Sequence, residues 1–161
     1  MSAISSPQTK APAPVSYTHL DVYKRQVPGV VDAFVRRLNG KIEEHVADIW
    51  QDEEMMTEDA EVLFVAYGSV ARSAQEAVVE LRQQGVKAGL LRPITLWPFH
   101  GDKVASVIAG KKAVIVPEMN LGQYAREIER VAGSVPVYSL SRVDGDLITA
   151  QQIVDRVKEV L

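Results

Sequence analysis

Six residues that could bind or react sit where apolar, β-branched runs end. Gly68 and Ser69 follow VLFVAY, Arg92 follows VKAGLL, and Glu118, Asn120 and Gln123 follow AVIVP. The Gly68-Ser69 turn exposes backbone N–H groups and a hydroxyl at a helix start, with Arg72 one turn in, which is the makeup of a generic anion site. It is not a dinucleotide fingerprint or a P-loop, because no G-x-G-x-x-G is present and no G-K-[ST] follows. A serine nucleophile at Ser69 would need a second glycine, and the chain reads AYGSVA. Glu118 could exchange a proton in a polar loop. It has no second titratable partner in the sequence, so Glu118, Asn120 and Gln123 around Gly122 read first as a helix-capping loop.

Arg92 either reaches an anion at the strand end or pairs with Glu118 across neighbouring strand ends, and the pairing is preferred. Trp97 and Phe99, on either side of Pro98 in RPITLWPF, either cover the core or anchor an interface, where large aromatics carry much of the affinity. Core cover is the first expectation. Asp144-Gly145-Asp146 has the wrong order for the G-D-G…N diphosphate–magnesium motif and no following Asn, so it reads as a tight turn. No Cys is present, which removes disulfides, a thiol nucleophile and any Cys-ligated zinc or iron–sulfur site on this chain. His19, His45 and His100 lack metal-ligand spacing, so neither a metal nor a catalytic residue is expected here.

A net charge of −3 without a basic stripe argues against a nucleic-acid partner. No apolar run reaches the ~18 residues of a membrane span, and MSAISSPQTKAPAPVS lacks the apolar block of a signal peptide, so a cytoplasmic protein is expected. Residues 1–26 do not read as fold: a Ser/Pro/Ala-rich start leads into VSYTHLDVYKRQ, which resembles a translated cloning adapter and points to a non-native, disordered segment. Residues 27–60 read as an amphipathic helix over 32–50, with Asp32 as N-cap and Val35, Leu38, Ile42, Val46 and Ile49 on one stripe, then an acidic connector, QDEEMMTEDAE. That stripe needs a surface, on the following domain or on one upstream.

Residues 61–161 alternate strands and helices. Strands are predicted over 62–67, 86–91, 113–116 and 135–140, and helices over 70–84, 102–109 and 122–132, with a last helix from Thr149 opened by a Thr149/Gln152 capping box. Alternation of this kind gives a three-layer α/β/α sandwich around a mostly parallel sheet.

Three strings in order, VAYGSVARSAQEAV, GLLRPITLWPF and VIVPEMNLGQ, resemble the C-terminal part of the alpha subunit of 2-oxoacid:ferredoxin oxidoreductases of the 2-oxoglutarate or branched-chain type. The resemblance covers about residues 33–161, with His100 standing where the family usually has Pro. It implies a fold like the C-terminal domain of transketolase, with a mixed five-stranded sheet. It also implies a parent complex that oxidatively decarboxylates a 2-oxoacid to an acyl-CoA. Thiamine diphosphate, Mg²⁺, iron–sulfur clusters and coenzyme A would be held elsewhere in that complex. Its partners would be the beta subunit, with gamma and delta subunits as further candidates, and ferredoxin through the complex. This domain would serve structure and subunit assembly and would be inactive alone. Two alternatives remain: a free-standing small-anion module at Ser69 and Arg72, or the C-terminal domain of another transketolase-like thiamine enzyme.

Overall fold

The computed structural model describes residues 28–161; the expectations for residues 1–26 lie outside them. The chain divides into two units, Met1–Glu44 and His45–Leu161. In the first, helix α1 spans Pro28–Glu43. Proline suits the first helical position because its missing N–H would be unpaired there anyway. Asp32 is therefore not an N-cap; it lies inside α1 and accepts from Arg36 at 2.9 Å, four residues on. The single helix expected over 32–50 is two helices, with the break at Glu44–His45 and α2 spanning only Val46–Ile49. Trp50 takes an extended ψ of 132°, which ends α2 and aims the chain at the sheet.

In the second unit the elements run β1 (Asp52–Met55), β2 (Val62–Val65), α3 (Val70–Gln83), β3 (Ala88–Pro93), α4 (Gly101–Ile108), β4 (Ala113–Glu118), α5 (Gln123–Val131), β5 (Val137–Ser141) and α6 (Ala150–Val160). The sheet order is β1-β3-β2-β4-β5. Strands β2 to β5 are parallel, and β1 is antiparallel to β3. This mixed five-stranded sheet is the one implied by the resemblance, and β1 is the strand that periodicity could not place. The acidic stretch read as a connector thus contains an edge strand. Its pattern escapes detection because an edge strand needs no apolar face: Asp52–Met55 has no fully buried residue. Tryptophan and lysine hold it instead, with Trp50 Nε1 donating to Asp52 at 2.7 Å and Lys103 paired with Glu54 at 2.5 Å.

Strand alternation divides the core into two layers. On one face Val62, Phe64 and Leu90 pack under Ala74, Ala77, Val78 and Leu81 of α3 and Ile153, Val154 and Val157 of α6. On the other, Leu63, Val65, Leu91, Val114 and Val116 pack under Val104 and Ile108 of α4 and Tyr124, Ala125 and Ile128 of α5. Both arms of the capping box at α6 are present: Gln152 N donates to Thr149 Oγ1 at 3.3 Å, and Thr149 N donates to Gln152 Oε1 at 2.9 Å. At α4, His100 Nδ1 accepts from Lys103 N at 3.4 Å, so the imidazole serves as a helix cap where proline would have preset the turn.

β1 lies outside β3, yet the chain returns to β2 inside it. The segment 56–61 must therefore cross β3, and it does so over Gly89. A Cβ built at Gly89 would fall 2.6 Å from the Met56 carbonyl oxygen and 2.9 Å from Ala60 Cβ.

Candidate functional site

All four parallel strands end at one edge, and the helices after them start there. The helix after β2 covers one face of the sheet, whereas the helix after the neighbouring strand β4 covers the other. The two loops part in opposite directions and leave a crevice between them, which is the topological switch point where α/β sheets bind ligands. A cleft of about 130 Å³ lies there, lined by Tyr67, Gly68, Ser69, Val70, Glu118, Met119 and Asn120.

The polar groups of this cleft form one network. Glu118, only 1% exposed, accepts from the backbone N–H groups of Tyr124 and Ala125 at 3.0 Å each. It thus caps α5 from the preceding strand, where a carboxylate also meets the positive end of the helix dipole. Tyr67 Oη donates to Glu118 at 3.4 Å and accepts from Asn120 Nδ2 at 2.7 Å. Asn120 Oδ1 accepts from the N–H groups of Gly122 and Gln123 at 2.9 and 3.0 Å. Burial first, and then the Glu118 charge, pushes the Tyr67 hydroxyl above the ordinary tyrosine range, so at neutral pH it remains a donor. Gly122 adopts φ +81°, which puts α5 directly after the loop.

Three of the seven candidate residues fall together here: Ser69, Glu118 and Asn120. Tyr67 is the member that sequence reading missed; its signal was a tyrosine at a strand end immediately before Gly68. Gln123 is exposed and joins the network only through its backbone N–H. The Ser69 hydroxyl makes no capping bond, and Arg72 is exposed with no acidic partner among the described residues. An anion seated by these donors would face the Glu118 carboxylate in the same cleft.

Arg92 does not pair with Glu118. β2 lies between β3 and β4, and Arg92 instead faces Glu53 on β1 in register, with Nη1 to Oε2 at 2.8 Å. Trp97 does not cover the core; it is 73% exposed, whereas Phe99 turns inward against Trp50 and Tyr124 with ring centroids 6.1 and 5.9 Å away. In the second unit, nine large apolar residues are exposed, and six of them lie on loops of this edge: Ile94, Leu96, Trp97, Leu121, Val143 and Leu147. Single exposed apolar residues are ordinary, whereas six on the loops of one edge are a concentration of apolar surface.

Behind the cleft, Tyr124 is 7% exposed and packs edge-on against Tyr67 at 5.1 Å. Its hydroxyl is buried with no partner among the described residues, and burial pushes it well above the ordinary tyrosine range. Because that group is already unsatisfied, removing it relieves a cost. Tyr124→Phe is expected to leave unfolding stability unchanged or to raise it by up to about 1 kcal/mol, measured by urea denaturation.

The groups implied for the parent complex do not fit this cleft. A cleft of about 130 Å³ is too small for coenzyme A or thiamine diphosphate, and its one carboxylate is already held by three donors. Among the described residues no group of three or more His, Cys, Asp or Glu is placed to hold a metal ion. Nor is any described helix long and apolar enough to cross a membrane.

Comparison with known proteins agrees with the geometry. A family model described as pyruvate:ferredoxin oxidoreductase core domain II matches residues 60–153. Ketoisovalerate oxidoreductase subunit VorB of Methanothermobacter marburgensis is 40% identical over 108 residues, which is 67% of this chain and 31% of that protein. 2-Oxoglutarate synthase subunit KorA of Methanocaldococcus jannaschii is 38% identical over 129 residues, 78% of this chain and 34% of that protein. The chain thus spans about a third of the length of these relatives. Among solved structures, the 2-oxoglutarate:ferredoxin oxidoreductase from Magnetococcus marinus, with 2-oxoglutarate, coenzyme A and succinyl-CoA bound, superposes with a TM-score of 0.74 at 29% identity, over 84% of this chain and 24% of that one. A split gene transketolase shares the fold, with a TM-score of 0.59 at 22% identity over 69% of this chain and 41% of that one. The sheet, the three sequence strings and the family match agree, and the chain belongs to the pyruvate:ferredoxin oxidoreductase core domain II family.

Proposed function

We propose that this chain is part of the alpha subunit of a thiamine-dependent 2-oxoacid:ferredoxin oxidoreductase, which converts a 2-oxoacid to an acyl-CoA and passes electrons to ferredoxin. Within that enzyme, residues 61–161 serve structure and subunit assembly. The thiamine diphosphate, magnesium, iron–sulfur clusters and coenzyme A belong to other parts of the complex, which works in the cytoplasm. One observation carries the assembly role: six exposed apolar residues gather on the edge where the strands end, while Tyr67, Glu118 and Asn120 of the same edge are engaged with one another and with the start of α5. A catalytic edge would show the reverse, with free titratable groups in an apolar cleft. The beta subunit is the partner that this edge would meet, with Trp97 as the anchor and Arg92 beside it.

The anion-module reading is weaker, because Glu118 lines the cleft that would hold the anion. Calorimetry with pyrophosphate, coenzyme A and 2-oxoacids would show no heat.

The assembly role is tested by placing Trp97→Ala in the complete complex. Truncating a central aromatic anchor costs about 2 kcal/mol or more of binding, roughly a 30-fold loss of subunit affinity. Size-exclusion chromatography should show dissociated subunits at concentrations where the parent complex is intact. An intact complex with full turnover would remove Trp97 from the interface.

A further inference from the structure

The edge that carries the exposed apolar residues also carries unmatched positive charge. Arg72 is the third residue of α3 and Arg126 the fourth of α5, and both are exposed with no ion pair among the described residues. Both helices start at this edge, where aligned peptide dipoles already place partial positive charge, so arginine is the wrong sign for either position. Neither helix has an acidic residue in its first turn. Glu118 offsets the start of α5 from beneath, by accepting from its first amides. The start of α3 has no such group, and the Ser69 side chain makes no capping bond there.

The other charges at this edge are matched. Arg92 pairs with Glu53, Lys103 with Glu54, and Arg142 with Asp144 and Asp146. Asp102 lies in the first turn of α4, where the dipole favours it. The whole chain carries a net charge of −3, so the two arginines do not follow from a general excess of base. Sheet order sets the layout: the loops meet the edge in the order β3, β2, β4, β5. Ile94, Leu96 and Trp97 follow β3, and Val143 and Leu147 follow β5, so exposed apolar residues lie towards both ends. Arg72 and Arg126 belong to the two helices between them, which cover opposite faces of the sheet.

We propose that this edge docks onto an acidic protein face, whose carboxylates meet Arg72 and Arg126 at the centre and whose apolar side chains take Trp97 and Leu147 at the flanks. The proposal rests on the assembly role proposed above and adds the charge that the beta subunit must present. A second copy of this chain is a poor occupant, because a two-fold contact brings the same unmatched arginines together. A nucleic acid is poorer still, because affinity there scales with the number of phosphates neutralised, and two arginines neutralise few.

Complementary charge across an interface acts mainly on the rate of encounter, and salt screens it. Arg72→Glu, Arg126→Glu and the double substitution are therefore made in the complete alpha subunit, with Trp97→Ala alongside. Association with the beta subunit is followed by stopped flow at several ionic strengths. The unsubstituted pair should associate more slowly as salt rises. The double reversal should slow association roughly tenfold at low salt, leave dissociation little changed, and flatten the salt dependence. In the 161-residue chain alone, Arg72→Glu should raise the urea midpoint, because it puts an acid at the positive end of α3. An arginine with a purely structural role would give the opposite sign.

Three results would overturn the proposal. One is a lowered urea midpoint for Arg72→Glu in the chain alone, which would mean that the domain itself matches this charge. Another is association that neither salt nor the double reversal alters. The last is binding of a single-stranded oligonucleotide that the double reversal abolishes while association with the beta subunit is untouched, which would make a nucleic acid the occupant. Trp97→Ala separates this proposal from the assembly role. If it speeds dissociation while the double reversal does nothing, only the acidic face fails; if neither alters association or dissociation, the assembly role fails with it.

Discussion

Gly89→Ala is expected to destabilise the domain by about 3 kcal/mol, at the upper end of what overpacking costs, and to lower the melting temperature by roughly 10 °C. The added methyl would meet the Met56 carbonyl oxygen at 2.6 Å, and that oxygen cannot retreat. Arg82 Nη2 donates to it at 2.9 Å, while the same guanidinium holds Asp59 at 2.9 and 2.6 Å and the Ala88 carbonyl at 2.7 Å. The clamp ties the crossing segment, at Met56 and Asp59, to the Ala88 carbonyl of β3 beside Gly89. Relief would require lifting 56–61 off the sheet, which would also loosen β1. Urea melts check this: the midpoint should fall with little change in slope if the fold survives, and a falling slope would mean that β1 has detached. A midpoint within experimental error of the parent would show that the crossing has slack.

The second large effect is expected at Glu118. Glu118→Ala leaves the N–H groups of Tyr124 and Ala125 and the Tyr67 hydroxyl without their acceptor, and opens a void at a site 1% exposed. The cost should be about 4 kcal/mol, with Glu118→Gln losing about half as much because one carbonyl oxygen still accepts. Hydrogen exchange distinguishes this from general loosening. Protection should fall first in the amides of Tyr124 and Ala125, while the helices of the opposite layer, α3 and α6, keep theirs. Equal loss everywhere would mean that Glu118 contributes through packing alone.

These two sites also show what the sequence could and could not convey. All four parallel strands and the helices after them were legible, because burial on both faces leaves β2, β3 and β4 as apolar runs and helix faces repeat every three to four residues. Strand ends shifted by about two residues: β3 begins at Ala88 rather than Val86, and β5 at Val137 rather than Val135. β1 was hidden because its stability comes from pairing and from Trp50 and Lys103, not from an apolar face. A glycine within an otherwise apolar buried strand was the available hint that another backbone passes close by.

The polar edge was read as residue types but not as partners. Arg92 and Glu118 end adjacent runs in the sequence, and adjacency in sequence suggested adjacency in the sheet. Strand order placed β2 between them and gave Arg92 to β1 instead. Trp97 was misread because hydrophobicity alone does not separate a side chain that covers a core from one awaiting a partner. Phe99, two residues on, turns the other way.

The position of β1 at the rim bears on how the domain should be handled. Cutting the chain to residues 60–153, the span the family match suggests, would remove β1 and bisect α6. β3, an AGLLRP strand with five of its six residues buried, would become the outermost strand. Its unpaired amides and apolar side chains would then recruit other molecules edge to edge, the hazard that a short acidic strand at the rim prevents. Such a truncation is expected to collect in inclusion bodies, whereas a chain beginning before Trp50 should remain in solution. The four residues that look least like part of a fold are thus its guard against aggregation.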